Sequence, residues 1–199
     1  MKTAKVKIRG AAPLLMHSAA LVDPTNPATR AIHNLTAKKT KKTDADIDEI
    51  ARLEFIGGLY VNADGVPCIP MENLEAVVRA GATAQRKGKD TQCAVYCTSV
   101  EGDTDSTPLV YDGPSDPDEL YKLPQHVHRC SVCIGKVRVM RVRPKFPTWE
   151  LDFLLHIDEE MMSPRDVERA LVFAGHMKGL GDYRPKYGRF EVVDFKLAK

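Results

Sequence analysis

No run of about 18 apolar residues, the length a membrane-spanning helix needs, occurs in this chain. Met1-Lys2-Thr3 leads straight into an alternating segment without the apolar core of a secretion signal. The expectation is a cytoplasmic protein with no membrane partner. A strong charge imbalance is missing too: the net charge is +2, which by itself selects no class of partner. There is no Walker loop, no G-x-S-x-G, no H-E-x-x-H and no convincing carboxylate pair, so the common motif-bearing hydrolases are set aside. Cysteine is scarce and odd in number: Cys68, Cys93, Cys97, Cys130 and Cys133 point to reduced thiols or a metal site, not to a disulfide framework.

What is present is an ordinary soluble composition, 43% hydrophobic and 28% charged. At 199 residues the chain is long enough for one domain with a sizeable core and large insertions. The charges, however, are segregated. Residues 1–43 hold nine Lys or Arg and one acid, Asp23. Residues 136–145 hold five bases and no acid, and 101–120 hold seven acids and no base. A basic groove beside an acidic patch is compatible with near-neutrality overall.

Lys5-Val6-Lys7-Ile8-Arg9 alternates with period two and reads as a half-buried strand with a basic outer face. From 18 to 44 the periodicity disappears and a long basic loop is expected, carrying Lys38, Lys39, Lys41 and Lys42. Asp44 or Asp46 is placed to cap a short helix ending at Gly57-Gly58. A small hairpin turned at Asp64-Gly65 follows. A helix over 71–85 then carries Leu74, Val77, Val78, Gly81 and Ala82 on one face. Residues 86–128 are rich in Gly, Pro, Asp and Ser and read as irregular, with one short strand at 109–111. Residues 132–142 read as a basic, β-branched strand joined by "RPKFPT" to a strand at 149–157. Ser163-Pro164-Arg165-Asp166 starts a helix with Ser as N-cap, burying Val167, Ala170, Leu171, Ala174 and Met177, and Gly179 ends it. A last strand covers 190–197.

Without the insertions the order is strand, helix, strand, strand, helix, strand. That predicts an α+β, ferredoxin-like (RRM-like) antiparallel sheet with two helices on one face and the other face free, as in many domains that bind single-stranded nucleic acid. A single domain over 1–199 is expected, with a basic loop insertion at 18–45 and an irregular, acidic, cysteine-containing insertion at 86–130.

Four groups of residues bear on chemistry. In "GKVRVMRVRPK", Lys136, Arg138, Arg141 and Arg143 have no interleaved acid, and a bulge near Met140 would keep them on one side of a phosphate-contacting strand. A solvated, charge-protected edge strand is the alternative. In "GLGDYRPKYGRFEV", Tyr183 and Tyr187 alternate with Arg184, Lys186 and Arg189, a composition that stacks bases and holds phosphates; the alternative is a tight helix-to-strand connection. Cys93, Cys97, Cys130 and Cys133 are a weaker set, a structural zinc site pinning the insertion, although Cys-x3-Cys is looser than usual zinc spacing. His17 and His33 lie in or near the basic loop, where a general base for attack by a ribose 2′-hydroxyl would make the chain a nuclease; no partner is marked by spacing.

The segments "GVPCIPMENLEAVVRAG", "GLGDYRPKYGRFEV" and "VKIRGAAPLLMH" resemble, in this order, parts of the RAMP superfamily: a Pro-anchored turn into the first helix, the glycine-rich loop near the C-terminus, and the first strand with its apolar continuation. They cover about a quarter of the chain. Met71-Glu72-Asn73 stands where the family has a glycine-serine turn, and the histidine arrangement of the family's endoribonucleases has no match. The resemblance implies a short relative, of the kind carried by phages and mobile elements, closest to the CRISPR backbone subunits that polymerise along guide RNA. Its expected partners are single-stranded RNA or DNA and further copies of itself, head to tail, with the acidic 101–119 stretch meeting the next copy's basic surface. No cofactor is expected. The competing expectations are a metal-independent RAMP-type endoribonuclease and a phage-encoded module docking on a host nucleic-acid complex.

Overall fold

The computed structural model describes residues 1–198. In chain order the elements are β1 (Lys2–Gly10), β2 (Leu14–Leu15), α1 (Pro27–Thr36), α2 (Asp44–Gly58), β3 (Cys68–Pro70), α3 (Met71–Thr83), α4 (Gly88–Ala94) and β4 (Val95–Ser99). They continue with β5 (Ser106–Pro108), α5 (Pro117–Tyr121), β6 (Val127–Ile134), β7 (Val137–Phe146), β8 (Glu150–Ile157), α6 (Pro164–Met177) and β9 (Phe190–Leu197). The chain divides into two compact units. The first comprises Met1–Leu14, Val61–Asp112 and the chain from Pro147 onward; the second comprises Leu15–Tyr60 and Gly113–Phe146.

The first unit is the ferredoxin-like α+β core. Its antiparallel sheet has the order β4-β8-β1-β9, and the chain runs β1, α3, β4, β8, α6, β9 through it. Alternation sets the inner face: Ala4, Val6 and Ile8 of β1 and Leu151, Phe153, Leu155 and Ile157 of β8 are all fully buried. Each large side chain buried this way stabilises the fold by roughly 1.5–3 kcal/mol. The helices approach each other closely where side chains are smallest. A Cβ on Gly81 would stand 1.9 Å from the Ala170 carbonyl oxygen, so α3 and α6 pack in this way only with glycine there. Ser163 caps α6 through the Asp166 amide at 3.2 Å with Pro164 in the first turn, as the sequence indicates. Met177 is exposed, and Gly175 instead turns inward against Phe190.

The second strand of this sheet is β4, a segment expected to be irregular. Val95, Cys97 and Ser99 point inward and Tyr96 outward. Cysteine and serine serve there as small core residues, which hid the alternation, and burial pushes the Cys97 thiol well up. The basic strand expected in this position belongs to the second unit. The hairpin at Asp64-Gly65 is reduced to one bridge, Val61 to Pro67, and β3 pairs with β5.

The second unit joins α1, α2 and α5 to the sheet β2-β7-β6. The expected loop at 18–45 is helical over Pro27–Thr36, with Asn26 capping the Ala28 amide at 2.9 Å and Pro27 in the first turn. α2 is capped by Thr43, one residue before the expected Asp44. The Thr43 hydroxyl accepts from the Asp46 amide while the Asp46 carboxylate accepts from the Thr43 amide at 3.0 Å, a reciprocal box. Phe55 of α2 packs on Tyr121 with ring centroids 5.2 Å apart. The basic segment is half of a hairpin: β6 and β7 pair without a register shift across the Gly135-Lys136 turn, where Gly135 has φ +61°. With no bulge, Arg138 falls on the same side as the buried Val142, while Arg141, Arg143 and Lys145 fall on the other.

Candidate nucleic-acid interface

The sequence-predicted residues divide between the two units. Lys38, Lys39, Lys41, Lys42, Lys136, Arg138, Arg141 and Arg143 lie in the second; Tyr183, Arg184, Lys186, Tyr187 and Arg189 lie in the first.

In the second unit several of the bases have local partners. Lys38 pairs with Asp46 at 2.5 Å, an interaction that helps hold this carboxyl down to about 2. Arg141 donates to the carboxylate of Glu54, a buried acid that also accepts from the Val142 amide at 3.0 Å. Burying that carboxylate would be costly without both donors, so Arg141, itself partly exposed, is engaged as the partner of Glu54. Arg143 Nη1 donates to Cys130 Sγ at 3.3 Å. Lys39, Lys41, Lys42, Lys136 and Arg138 are exposed. His17 is exposed and lines a cavity of about 140 Å³ with Glu54 and Arg141, while His33 sits on the exposed side of α1.

The proposed zinc ligands also divide between the units, Cys93 and Cys97 in the first and Cys130 and Cys133 in the second. Among the described residues no group of three or more His, Cys, Asp or Glu is placed to hold a metal.

The glycine-rich loop of the first unit is tightly built. Gly179, at φ +75°, ends α6 with its amide donating to the Ala174 carbonyl at 2.8 Å. The Leu180 amide donates to the Gly188 carbonyl, and the Gly188 amide donates to the Pro13 carbonyl, each at 2.8 Å. Leu180 is buried as a plug. A Cβ on Gly188 would lie 1.7 Å from the Leu180 carbonyl oxygen, and its φ of +72° already favours glycine. The backbone so held presents Tyr183, 54% exposed, beside Tyr187, with ring centroids 5.8 Å apart. Lys186 Nζ stands over both rings, at 5.9 and 5.6 Å. Arg189 spans the loop, its Nε donating to the Pro185 carbonyl at 2.9 Å. An exposed ring beside a half-buried one, with a cation above both and arginines alongside, offers stacking and phosphate contact in one place.

Arg184 faces a neighbouring cleft of about 620 Å³ that sequence reasoning missed, lined also by Arg79, Arg86, Lys89, Gln92 and the small residues of α3 and α4. The available signal was the spacing of Arg79, Thr83 and Arg86, which continues one helix face past the end of α3, in a turn with Lys87 and Lys89. On the sheet's free face, by contrast, most bases are paired with acids, Lys5 excepted. Lys7 pairs with Glu150 at 2.7 Å, Arg9 with Glu150 at 2.6 Å and Lys196 with Asp194 at 2.7 Å. Tyr96 stacks on His156 there, 4.5 Å apart, with both ring nitrogens of His156 within hydrogen-bonding distance of Thr3 and Thr98 hydroxyls.

No protein-family model matches the chain, and no curated protein matches it in sequence. Among solved structures, it resembles a chain of the cryo-EM structure of the Type III-B Cmr-beta bound to cognate target RNA, with TM-score 0.57 and 13% identity. The match covers 100% of this chain and 61% of that one, so this protein spans about three fifths of its length. At that identity the likeness is one of fold.

Proposed function

We propose that this protein binds single-stranded nucleic acid, RNA by preference, without cleaving it, as a short RAMP-superfamily protein akin to CRISPR backbone subunits. The observation that carries the proposal is the cluster of Tyr183, Lys186 and Tyr187, two rings tilted 31° to each other with the Lys186 ammonium over both, on a loop pinned by backbone hydrogen bonds. An exposed Tyr183 ring beside a half-buried Tyr187, with a cation over both, suits a base on Tyr183 and a phosphate beside it. The fold likeness to a chain of an RNA-bound assembly supports RNA as the polymer and subunit assembly as the context. Copies following one another along a strand are part of the same proposal.

Gel shift and cleavage with labelled single-stranded RNA and DNA test it. RNA is shifted and stays intact, and shifts in discrete steps on longer strands report successive copies. Tyr183→Ala with Lys186→Ala weakens binding by roughly 10-fold or more, since one stacked base is worth about 1–3 kcal/mol. Absence of any shift at low salt sinks the proposal. Cleavage lost in His17→Ala or His33→Ala would replace it with the endoribonuclease.

A further inference from the structure

Four basic side chains from three segments of the first unit line one open cleft: Arg79 on α3, Arg86 in the α3–α4 turn, Lys89 on α4 and Arg184 on the glycine-rich loop. No acid contributes to its lining. Among the described residues none of the four has a carboxylate within ion-pairing distance. Like charges gathered this way repel each other, so their charges do not favour the fold around them. The backbone carries a second, independent sign. Among the described residues the two non-glycine positions in the left-handed region are Arg86, φ +60°, and Tyr183, φ +55°. One lines this cleft and the other directly precedes Arg184 on its rim. Glycine would adopt either conformation at lower cost, so an arginine in the turn after α3 is a side chain kept against local preference.

The geometry points to this cleft, on the helix side of the fold, as the path of the strand's phosphodiester backbone. The inference rests on the nucleic-acid reading above and adds Arg79, Arg86 and Lys89 to the binding residues. The open cleft has a floor of small residues, Ala76, Ala80 and Gly88, over which a chain of phosphates can lie close to the protein. Its cations are long and exposed, which suits a run of phosphates better than one enclosed anion. Tyr183, next in sequence to Arg184, then lies where a base of the same strand can stack. On the sheet's free face, the usual platform in folds of this kind, Lys7 and Arg9 are already engaged by Glu150, which leaves that face fewer unpaired cations than the cleft.

Fluorescence anisotropy with a labelled single-stranded RNA and its DNA counterpart tests this on the full chain at about 50 and about 200 mM salt. The cleft variant is Arg79→Gln, Arg86→Gly, Lys89→Gln. The control is Lys5→Gln, Lys7→Gln, Arg9→Gln, which changes net charge by the same amount on the sheet face. The cleft variant is expected to lose about 10-fold or more in affinity at the lower salt, and its slope of log K against log salt to fall by about 2, near 0.7 per lost contact. The control is expected to lose less than about 3-fold. Equal losses in the two variants overturn the path and leave a diffuse charge effect. Wild-type binding that survives the cleft variant overturns the path but not the nucleic-acid reading, whereas absence of wild-type binding removes both. Inorganic tripolyphosphate separates the remaining source of phosphate: if it binds through the cleft cations while RNA affinity ignores them, the cleft is an oligophosphate site and the path is overturned. Arg86→Gly alone guards against misfolding, because glycine suits that backbone. Lower affinity at an unchanged or higher Tm supports the path, and unchanged affinity counts against it.

Discussion

Two surfaces of the first unit carry basic side chains in similar number, and they use them differently. On the sheet's free face two of the three outward bases of β1 meet acids on the adjacent strand: Lys7 stands opposite Asp152 and Arg9 opposite Glu150 in the ladder, while Lys5 faces Leu154. Cross-strand pairs of opposite sign favour one register and penalise its neighbours, so these charges serve the fold. In the cleft of α3, α4 and the glycine-rich loop the bases have no such partners. The lesson is that a count of lysines and arginines does not identify a binding surface; whether each charge is already answered does.

The largest effect is expected where the cleft's rim is built. Gly188→Ala forces a Cβ to within 1.7 Å of the Leu180 carbonyl oxygen at a φ of +72°. It should destabilise the fold by about 2 kcal/mol or more, read as a lower urea midpoint, and weaken nucleic-acid binding with it. If stability and binding are both retained, the loop's rigid path is not what sets the two surfaces apart. A smaller effect is expected from making the sheet face resemble the cleft. Glu150→Gln with Asp152→Asn releases Lys7 and Arg9, and single-stranded RNA affinity at low salt should rise by about 2- to 5-fold. No change in anisotropy titrations would mean that a bound strand never comes near that face.

The smallest effect concerns His156, held between two threonine hydroxyls under Tyr96 on the sheet face. Desolvation lowers its pKa below the ordinary 6.5, favouring the neutral ring in the folded chain. Its contribution is therefore complete above about 6.5 and declines as the pH falls from there toward the lowered value, because the unfolded chain takes up the proton first. The urea midpoint should drop slightly between pH 7.5 and pH 5.5, and His156→Gln should flatten that dependence. Nucleic-acid affinity corrected for folding should not follow it, since the cleft contains no histidine.

Much of the first unit was legible from local pattern. β1, β8, α6 and β9 follow from alternation, from an N-cap serine with proline after it, and from a glycine that ends the helix. β4 was not legible, because cysteine and serine fill its inward positions and polar neighbours on both sides disguise it. The basic segment at 136–145 was recognised as strand-forming but assigned to the wrong sheet. Its alternation describes a strand equally well in either place, and only the Gly135-Lys136 turn marks it as half of a hairpin. On the candidate site, the composition of the glycine-rich loop was visible, but Arg79, Arg86 and Lys89 were hidden inside what looked like a helix end followed by a loop.

The sequence by itself determined β1, α2, α3, β8, α6 and β9, the inward face of β1 and β8, and the position of the glycine-rich loop. These depend on neighbours within a few residues, where periods of 2 and 3.6 and the chemistry of caps act directly. Tertiary structure decided which strand completes the sheet, which unit receives the basic hairpin and which cations are left unpaired. Arg141 meets Glu54 and Lys7 meets Glu150 across separations of 87 and 143 residues, shown by numbering, and such encounters are set by packing and register. Charges that look alike along the chain thus become structural in one place and available to a ligand in another.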